Sequence, residues 1–406
     1  MSRDIHYFPP TRANRDILSG LRPGPVQTFD KPEIVDGPDV VITDLKYIGS
    51  YNWTNHATPT MIVPGSPPIW RERPLPFTVP PDPNSVFIEA DAHWLPMTPL
   101  YPLLRAVDIV AEETADPVDW RSVDLVTDRN CLRNLLRWCG GGGNKPRDFR
   151  IDMQLAGRRT VLFSRFVTKF TEGTSAIQPT YGFSFEREST MHASGCENSI
   201  SHARIVKYNL SGMKLVVRFE VDACLASPRP RAESSAEVDD LASTMSNLRV
   251  SSSAHSAAHS GGVGINMQSP ADEPRIIRAG TQVSDDAIIE LTTRSVAARM
   301  KFRWPDSYPQ LFFSQTPHHF LAHHNAGQVR EIVKRHVGDP EMWAVEAKAQ
   351  TGFKKLRQLL KKIQDLVLEA GQDGRLSLVY QKGSLALYER ANQDSCLPAQ
   401  MLERFD

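Results

Sequence analysis

The chain has 406 residues, 40% of them hydrophobic, which is enough for one large domain or two ordinary ones with a sizeable core. Its 47 lysines and arginines cancel its 47 aspartates and glutamates, so any nucleic-acid partner must be held by a local basic patch rather than by bulk charge. No apolar run approaches the roughly 18 residues of a membrane span, and the polar start MSRDIHYFPP lacks a signal-peptide core. Cys131, Cys139, Cys196, Cys224 and Cys396 are scattered and form no CxxC pair. That pattern excludes a disulfide framework and a structural zinc site, and it implies an intracellular protein of the nucleus or cytoplasm.

In chain order, the first hundred residues are rich in proline and aromatics, as in SYNWTNHATPTMIVPGSPPIW over 50–70, and predict short strands and fixed turns. DVVITDLKYIGSYNW alternates as a strand does. VTDRNCLRNLLRWCGGGGN predicts a helix capped by Asp128, with Leu132, Leu135 and Leu136 as its apolar face and four glycines as its end. Arg129, Arg133 and Arg137 fall at i, i+4 and i+8 and make a basic stripe on the other face. RIDMQLAGRRTVLFSRFV and ARIVKYNLSGMKLVVRFEVDACL predict two hairpins of a central sheet, the second turning at Ser211-Gly212.

Residues 226–284, with SPRPRAESSAEVDD and VSSSAHSAAHSGGVG, are poor in large apolar side chains. They predict a low-complexity, mostly disordered insertion into a single domain made of 1–225 and 285–406. Beyond it lie AIIELTT, a polar aromatic segment, and a helix from Asp339-Pro340 to Gly371. Trp343, Leu356, Leu359, Leu360, Ile363, Leu366 and Val367 follow its spacing. RLSLVYQKGSLALYER predicts a closing hairpin around Lys382-Gly383.

Chemistry concentrates on two of these strands. With a period of two, Arg218, Glu220 and Asp222 share one face, as do Ile288, Glu290 and Thr292 on the later strand. If the strands are neighbours, three carboxylates converge, and their repulsion calls for a cation; oxygen-only ligands suit Mg²⁺ or Mn²⁺. The bland reading is a set of solvated side chains on an exposed sheet face. HHFLAHH (318–324) pairs His319 with His323 at i, i+4, but no glutamate accompanies them as in HExxH, so a surface or core role is expected. CGGGGNK follows a helix instead of leading into one and reads as a flexible helix end, not a phosphate loop. Tyr47, Tyr51 and Trp53 read as core, and KKLRQLLKKIQ as a packed helix with a lysine-rich outer face.

A further acidic residue, Glu186, lies in YGFSFE, at a strand or helix edge. Taken in order, the arginine of TDRNCLRNLL, then YGFSFE, EVD, ELTT and FFSQ resemble the motif series of the Rai1/DXO decapping exoribonuclease family, which runs Arg, GYKFE, EVD or EID, ELKT and a downstream glutamine. The resemblance covers roughly residues 120–330. It implies an α+β fold with a PD-(D/E)XK nuclease-like mixed sheet flanked by helices, acting on RNA 5′ ends by decapping or pyrophosphohydrolysis and 5′-3′ exoribonucleolysis. Carried over, it makes Glu186, Asp222, Glu290 and the Leu291 carbonyl ligands of Mg²⁺ or Mn²⁺, and Glu220 the holder of a water. Gln315 becomes the active-site glutamine, Arg129 a contact to RNA phosphates at the head of the Arg133 and Arg137 stripe, and an exoribonuclease a conceivable protein partner.

Two departures stand out. Thr292 occupies the position where the family has a lysine, and no GFRD-like motif follows Gln315. A threonine hydroxyl can hold a water but supplies no charge to a developing phosphorane, a loss of about 10²–10³ in rate. The alternative is therefore a non-catalytic relative that binds RNA or a protein in the same groove. A prenyl-diphosphate synthase is excluded on mechanism, because Asp239-Asp240 and Asp285-Asp286 lack the third aspartate of DDxxD.

Overall fold

The structure, a computed structural model, describes residues 15–33, 36–83, 85–87, 89–169, 171–173, 179–226, 273–296 and 302–406. Residues 1–225 and 274–406 form one compact unit and 226–273 a second. All of the second but Ala226 and Glu273 lies outside the described residues, and so does most of the expected insertion. Its last part differs from expectation: Arg275–Ala279 is a strand paired in parallel with Thr60–Pro64. Two adjacent isoleucines, Ile276 and Ile277, between Arg275 and Arg278 are weak strand patterning, and pairing with the edge of Thr60–Pro64 makes the segment a strand.

The expected mixed sheet with helices on its faces is present, and it has eleven strands. At its centre Met213–Glu220 pairs antiparallel with Ser199–Leu210 and parallel with Leu125–Asp128. The first of these is the predicted hairpin, and its turn works because Ser211 and Gly212 both take left-handed backbone, φ 44° and 86°. The Phe149–Ala156 and Thr160–Phe166 hairpin and the closing Leu376–Gln381 and Ser384–Glu389 hairpin also form. A second sheet of seven strands carries Ile288–Ser295 between Ala223–Cys224 and His318–Asn325.

Both faces of the large sheet are covered. Leu215, Val217 and Phe219 meet Leu132, Leu135 and Leu136 of the Arg129–Trp138 helix and Leu356, Leu359, Leu360 and Ile363 of the Pro340–Ala370 helix. Val216 and Ile205 meet Leu103, Leu104 and Val107 of the Tyr101–Thr114 helix on the other side. That helix is absent from the sequence reading, which predicted strands and turns for the first hundred residues and nothing for the segment just after them; Pro102 sits in its first turn, where a missing N–H costs nothing. Trp343 departs from expectation in the opposite sense. It keeps the helical spacing but is 63% exposed, although Met342 beside it is buried in the core under the large sheet.

Gly157, between the hairpin strands, has φ 57°, and a Cβ there would lie 1.9 Å from the Phe405 carbonyl oxygen. Left-handed backbone alone costs a residue with a Cβ about 1–3 kcal/mol. Gly157→Ala is therefore expected to lower the unfolding free energy measured by urea titration by at least that amount; an unchanged value would refute the close docking of the C-terminal turn.

Candidate carboxylate site

The EVD segment stands where the chain passes from one sheet to the other. Met213–Glu220 ends in the large sheet, Val221 and Asp222 cross, and Ala223–Cys224 pairs with Ile288 and Ile289 in the small one. The two strands singled out in the sequence are thus neighbours through this short continuation rather than along their lengths. Along Ile288–Ser295, Ile288 enters the core beneath the large sheet while Ile289 and Leu291 enter the core of the small one. Glu290, on the Ile288 side, is 8% exposed.

Two contacts tie the carboxylates down. The Leu291 N–H donates to Asp222 Oδ2 at 2.8 Å. Arg129 Nη1 donates to Glu290 Oε2 at 2.9 Å and reaches Ser314 Oγ at 3.4 Å, its guanidinium lying 5.6 Å from the Phe219 ring centre. Arg129 therefore heads its helix as a partner of Glu290. Asp128 is the residue before that helix, but its carboxylate caps no helical N–H. It takes the Arg218 fork at 2.7 and 3.1 Å instead.

Charge is unevenly balanced here. Burial first, then the Asp222, Glu220 and Glu290 carboxylates, hold Glu186 well above the usual carboxylate range. Glu186 lies on the helix Gly182–Ser189, so YGFSFE forms a helix and not a strand. Burial, then Glu290, does the same to Asp222, with the Leu291 N–H and Arg129 opposing. Glu220 is exposed at its strand end. The atoms packed around it and then Glu89 push its carboxyl up to about 7, a shift that the water it reaches moderates. Burial, then Arg129 and Arg137, pull Arg133 down to about 9, so the predicted stripe is a set of mutually repelling guanidiniums beside Glu290.

The remaining candidates are placed differently from the sequence reading. Gln315 ends the Trp304–Ser314 helix at φ 51°, and its amide is spent on the Phe312 carbonyl at 2.7 Å. Thr292 Oγ1 lies 3.1 Å from His319 Nε2. His319 is buried, between the Phe302 and Trp304 rings, and burial pulls it down to about 4, so it is neutral. HHFLAHH is a strand, which sets aside the helical i, i+4 pairing of His319 and His323. Tyr51 and Trp53 are core residues that also serve the site: both donate to Asp91 Oδ1, at 2.6 and 2.9 Å.

Sequence reasoning passed over that second acidic layer. Asp91 meets Arg218 at 3.2 Å, and Glu89 takes Arg165 at 2.6 Å. The signal was present in IEADAHW, two acids next to an apolar run, but nothing local says that Arg218 and Arg165 wait opposite them.

Glu186, Glu220, Asp222 and Glu290 offer oxygen only, and their repulsion is answered by a single bonded arginine; the donor chemistry fits Mg²⁺ or Mn²⁺. Among the described residues no three His, Cys, Asp or Glu side chains are yet gathered as ligands, Glu290 being held by Arg129.

The mixed sheet flanked by helices has the fold of solved Rai1 structures. Rai1 of S. pombe is similar at a TM-score of 0.52 and 11% identity over 89% of this chain and 99% of that one. Scheffersomyces stipitis Rai1 in complex with (3′-NADP)+ and calcium ion gives 0.55 and 9% over 94% and 99%. Candida albicans Rai1 in complex with pU5-Mn2+ gives 0.54 and 9% over 93% and 99%. The chain belongs to the family described as Domain of unknown function (DUF8563), whose model matches residues 32–405. No curated protein matches.

Proposed function

We propose that this chain is an RNA 5′-end hydrolase of the decapping-nuclease type, using Mg²⁺ or Mn²⁺ held by Glu186, Asp222, Glu290 and the Leu291 carbonyl. The observation that carries the reading is a set of mutually repelling carboxylates at the sheet seam, Glu290 buried, Glu186 and Asp222 half-buried and Glu220 at the rim, against one bonded arginine among the described residues. A bound divalent ion supplies charge neutralisation and a more acidic water. Arg133 and Arg137 line the approach for RNA phosphates, and a phosphate drawing Arg129 toward itself frees Glu290. Glu220, at the rim, accepts a proton from the attacking water at its carboxylate, and Gln315 orients the substrate once released from Phe312. Thr292 presents a hydroxyl where a cation would serve better, so turnover is slow. The reading places the chain inside the cell, in nucleus or cytoplasm, with an exoribonuclease as protein partner. Among the described residues no helix is long and apolar enough to cross a membrane.

A second reading is favoured by the Arg129–Glu290 pair and the Thr292–His319 contact, which use two site residues for packing: a non-catalytic groove that binds RNA or a protein. One experiment separates them. Wild-type protein with Mn²⁺ and 5′-labelled RNA bearing triphosphate, NAD or unmethylated-cap ends is expected to release label, and equilibrium dialysis to detect bound Mn²⁺. Asp222→Ala is expected to lose both. RNA retained uncut, with no Mn²⁺ bound, sinks the enzyme reading and leaves the binding one.

A further inference from the structure

A cavity of about 110 Å³ opens elsewhere on the molecule, and none of its lining residues belongs to the carboxylate site. Four arginines line it, Arg15, Arg150, Arg165 and Arg390, against two acids, Asp152 and Asp394. Most of these charges have partners. Arg150 forks Asp152 at 2.6 and 3.2 Å and donates to the Ile17 and Ser19 carbonyls at 3.2 and 2.6 Å. Arg165 holds Glu89 at 2.6 Å. Arg15 and Arg150 lie over the Phe166 ring at 4.3 and 4.2 Å. Asp152 also accepts from Ser377 Oγ at 2.6 Å, and Asp394 accepts from Asn392.

Arg390 is the exception. It is 6% exposed, yet its Nε and Nη2 find no acceptor among the described residues. A guanidinium is always charged and carries five donors, so burying it with two of them idle is unfavourable unless something absent from the chain accepts them. The side chain that reaches Arg390, the Cys396 thiol, is only a weak acceptor. The Cys396 thiol is pushed up to about 12 by burial and stays neutral, and Arg375, whose Nε is also buried and unpartnered, adds a second positive charge beside Arg390.

We propose that this cavity binds a single tetrahedral oxyanion, a phosphate group, through Arg390 with Arg15 and Arg165 at its edge. The guanidinium fork matches adjacent phosphate oxygens two at a time. The size agrees: about 110 Å³ is several times the ~10–15 Å³ that one water requires on the same measure, room enough for a phosphate group. The group could be free orthophosphate or the 5′ phosphate of an oligonucleotide whose sugar stays outside.

Orthophosphate titrated into the full chain, with sodium chloride holding ionic strength constant, is expected to raise the melting temperature saturably. Arg390→Gln is expected to weaken the affinity at least tenfold, and Arg390→Lys nearly as much, because an ammonium cannot present the fork. Arg15→Gln, at a half-buried position near the chain start, should weaken it several-fold and serves if the Arg390 variants do not fold. A 5′-phosphorylated oligonucleotide that competes with orthophosphate, where its 5′-hydroxyl counterpart does not, assigns the phosphate to nucleic acid; no competition assigns it to the free ion. No saturable effect in wild type, or an unchanged affinity in a folded Arg390→Gln or, failing that, in Arg15→Gln, overturns the proposal.

Discussion

Thr292→Lys is expected to raise the rate of label release from a 5′-triphosphate RNA about 10²- to 10³-fold in the presence of Mn²⁺. The residue sits two positions after Glu290 on the same strand face, half-buried, with only the neutral His319 imidazole against its hydroxyl. An ammonium there lies beside the carboxylates, competes with Arg129 for Glu290, and places positive charge where a phosphorane would develop it. The gain carries a cost. His319 Nδ1 is already buried without a partner, and losing Thr292 idles the other ring nitrogen as well, about 1–3 kcal/mol of stability. A variant that is less stable yet faster, and silenced again by Asp222→Ala, is the expected combination. A folded Thr292→Lys protein no faster than wild type would mean that missing charge is not what limits the site.

Arg218→Met is expected to cost about 3–5 kcal/mol and, in a domain of ordinary stability, to leave little folded protein at 37 °C. Arg218 is 5% exposed and holds both Asp128 oxygens, the Pro99 carbonyl at 2.9 Å, Tyr51 Oη at 3.0 Å and Asp91 at 3.2 Å. Its removal strands two buried carboxylates, and burial already holds Asp91 above its ordinary value with Arg218 as the main opposing influence. Because Asp128 immediately precedes the Arg129 helix, the loss also loosens the Arg129–Glu290 pair. Adding Asp128→Asn should recover part of the stability, since one of the stranded charges is gone. An unfolding free energy from urea titration within about 1 kcal/mol of wild type for Arg218→Met would show that the pairs are solvated in practice.

Both substitutions involve residues visible in two short strands, and their contexts were legible to different depths. RFEVD and IIELTT alternate with a period of two, which is enough to put Glu220 and Glu290 on definite faces. The turns at Ser211-Gly212 and Lys382-Gly383 could be read because left-handed backbone favours few residues. The long helix could be read from its leucine spacing, apart from Trp343, which keeps the spacing but is exposed.

Periodicity says nothing about what lies opposite. Asp128 reads locally as a helix cap, yet it spends its carboxylate on Arg218, 90 residues away, because a buried bidentate pair outcompetes a single N–H. Gln315 reads as a free amide and is turned onto Phe312 by a left-handed helix end. Glu89 and Asp91 show locally only as two acids beside an apolar run and Arg390 shows nothing: what they do comes from long-range pairing or from the lack of it.

The sequence by itself determined the strands, their faces and the order of the acidic motifs, since those follow from nearest-neighbour backbone preferences and the burial of one face. Only the tertiary structure decided which charges are partnered, because ion pairing is set by distances between segments far apart in the chain and by the low dielectric of the interior they share.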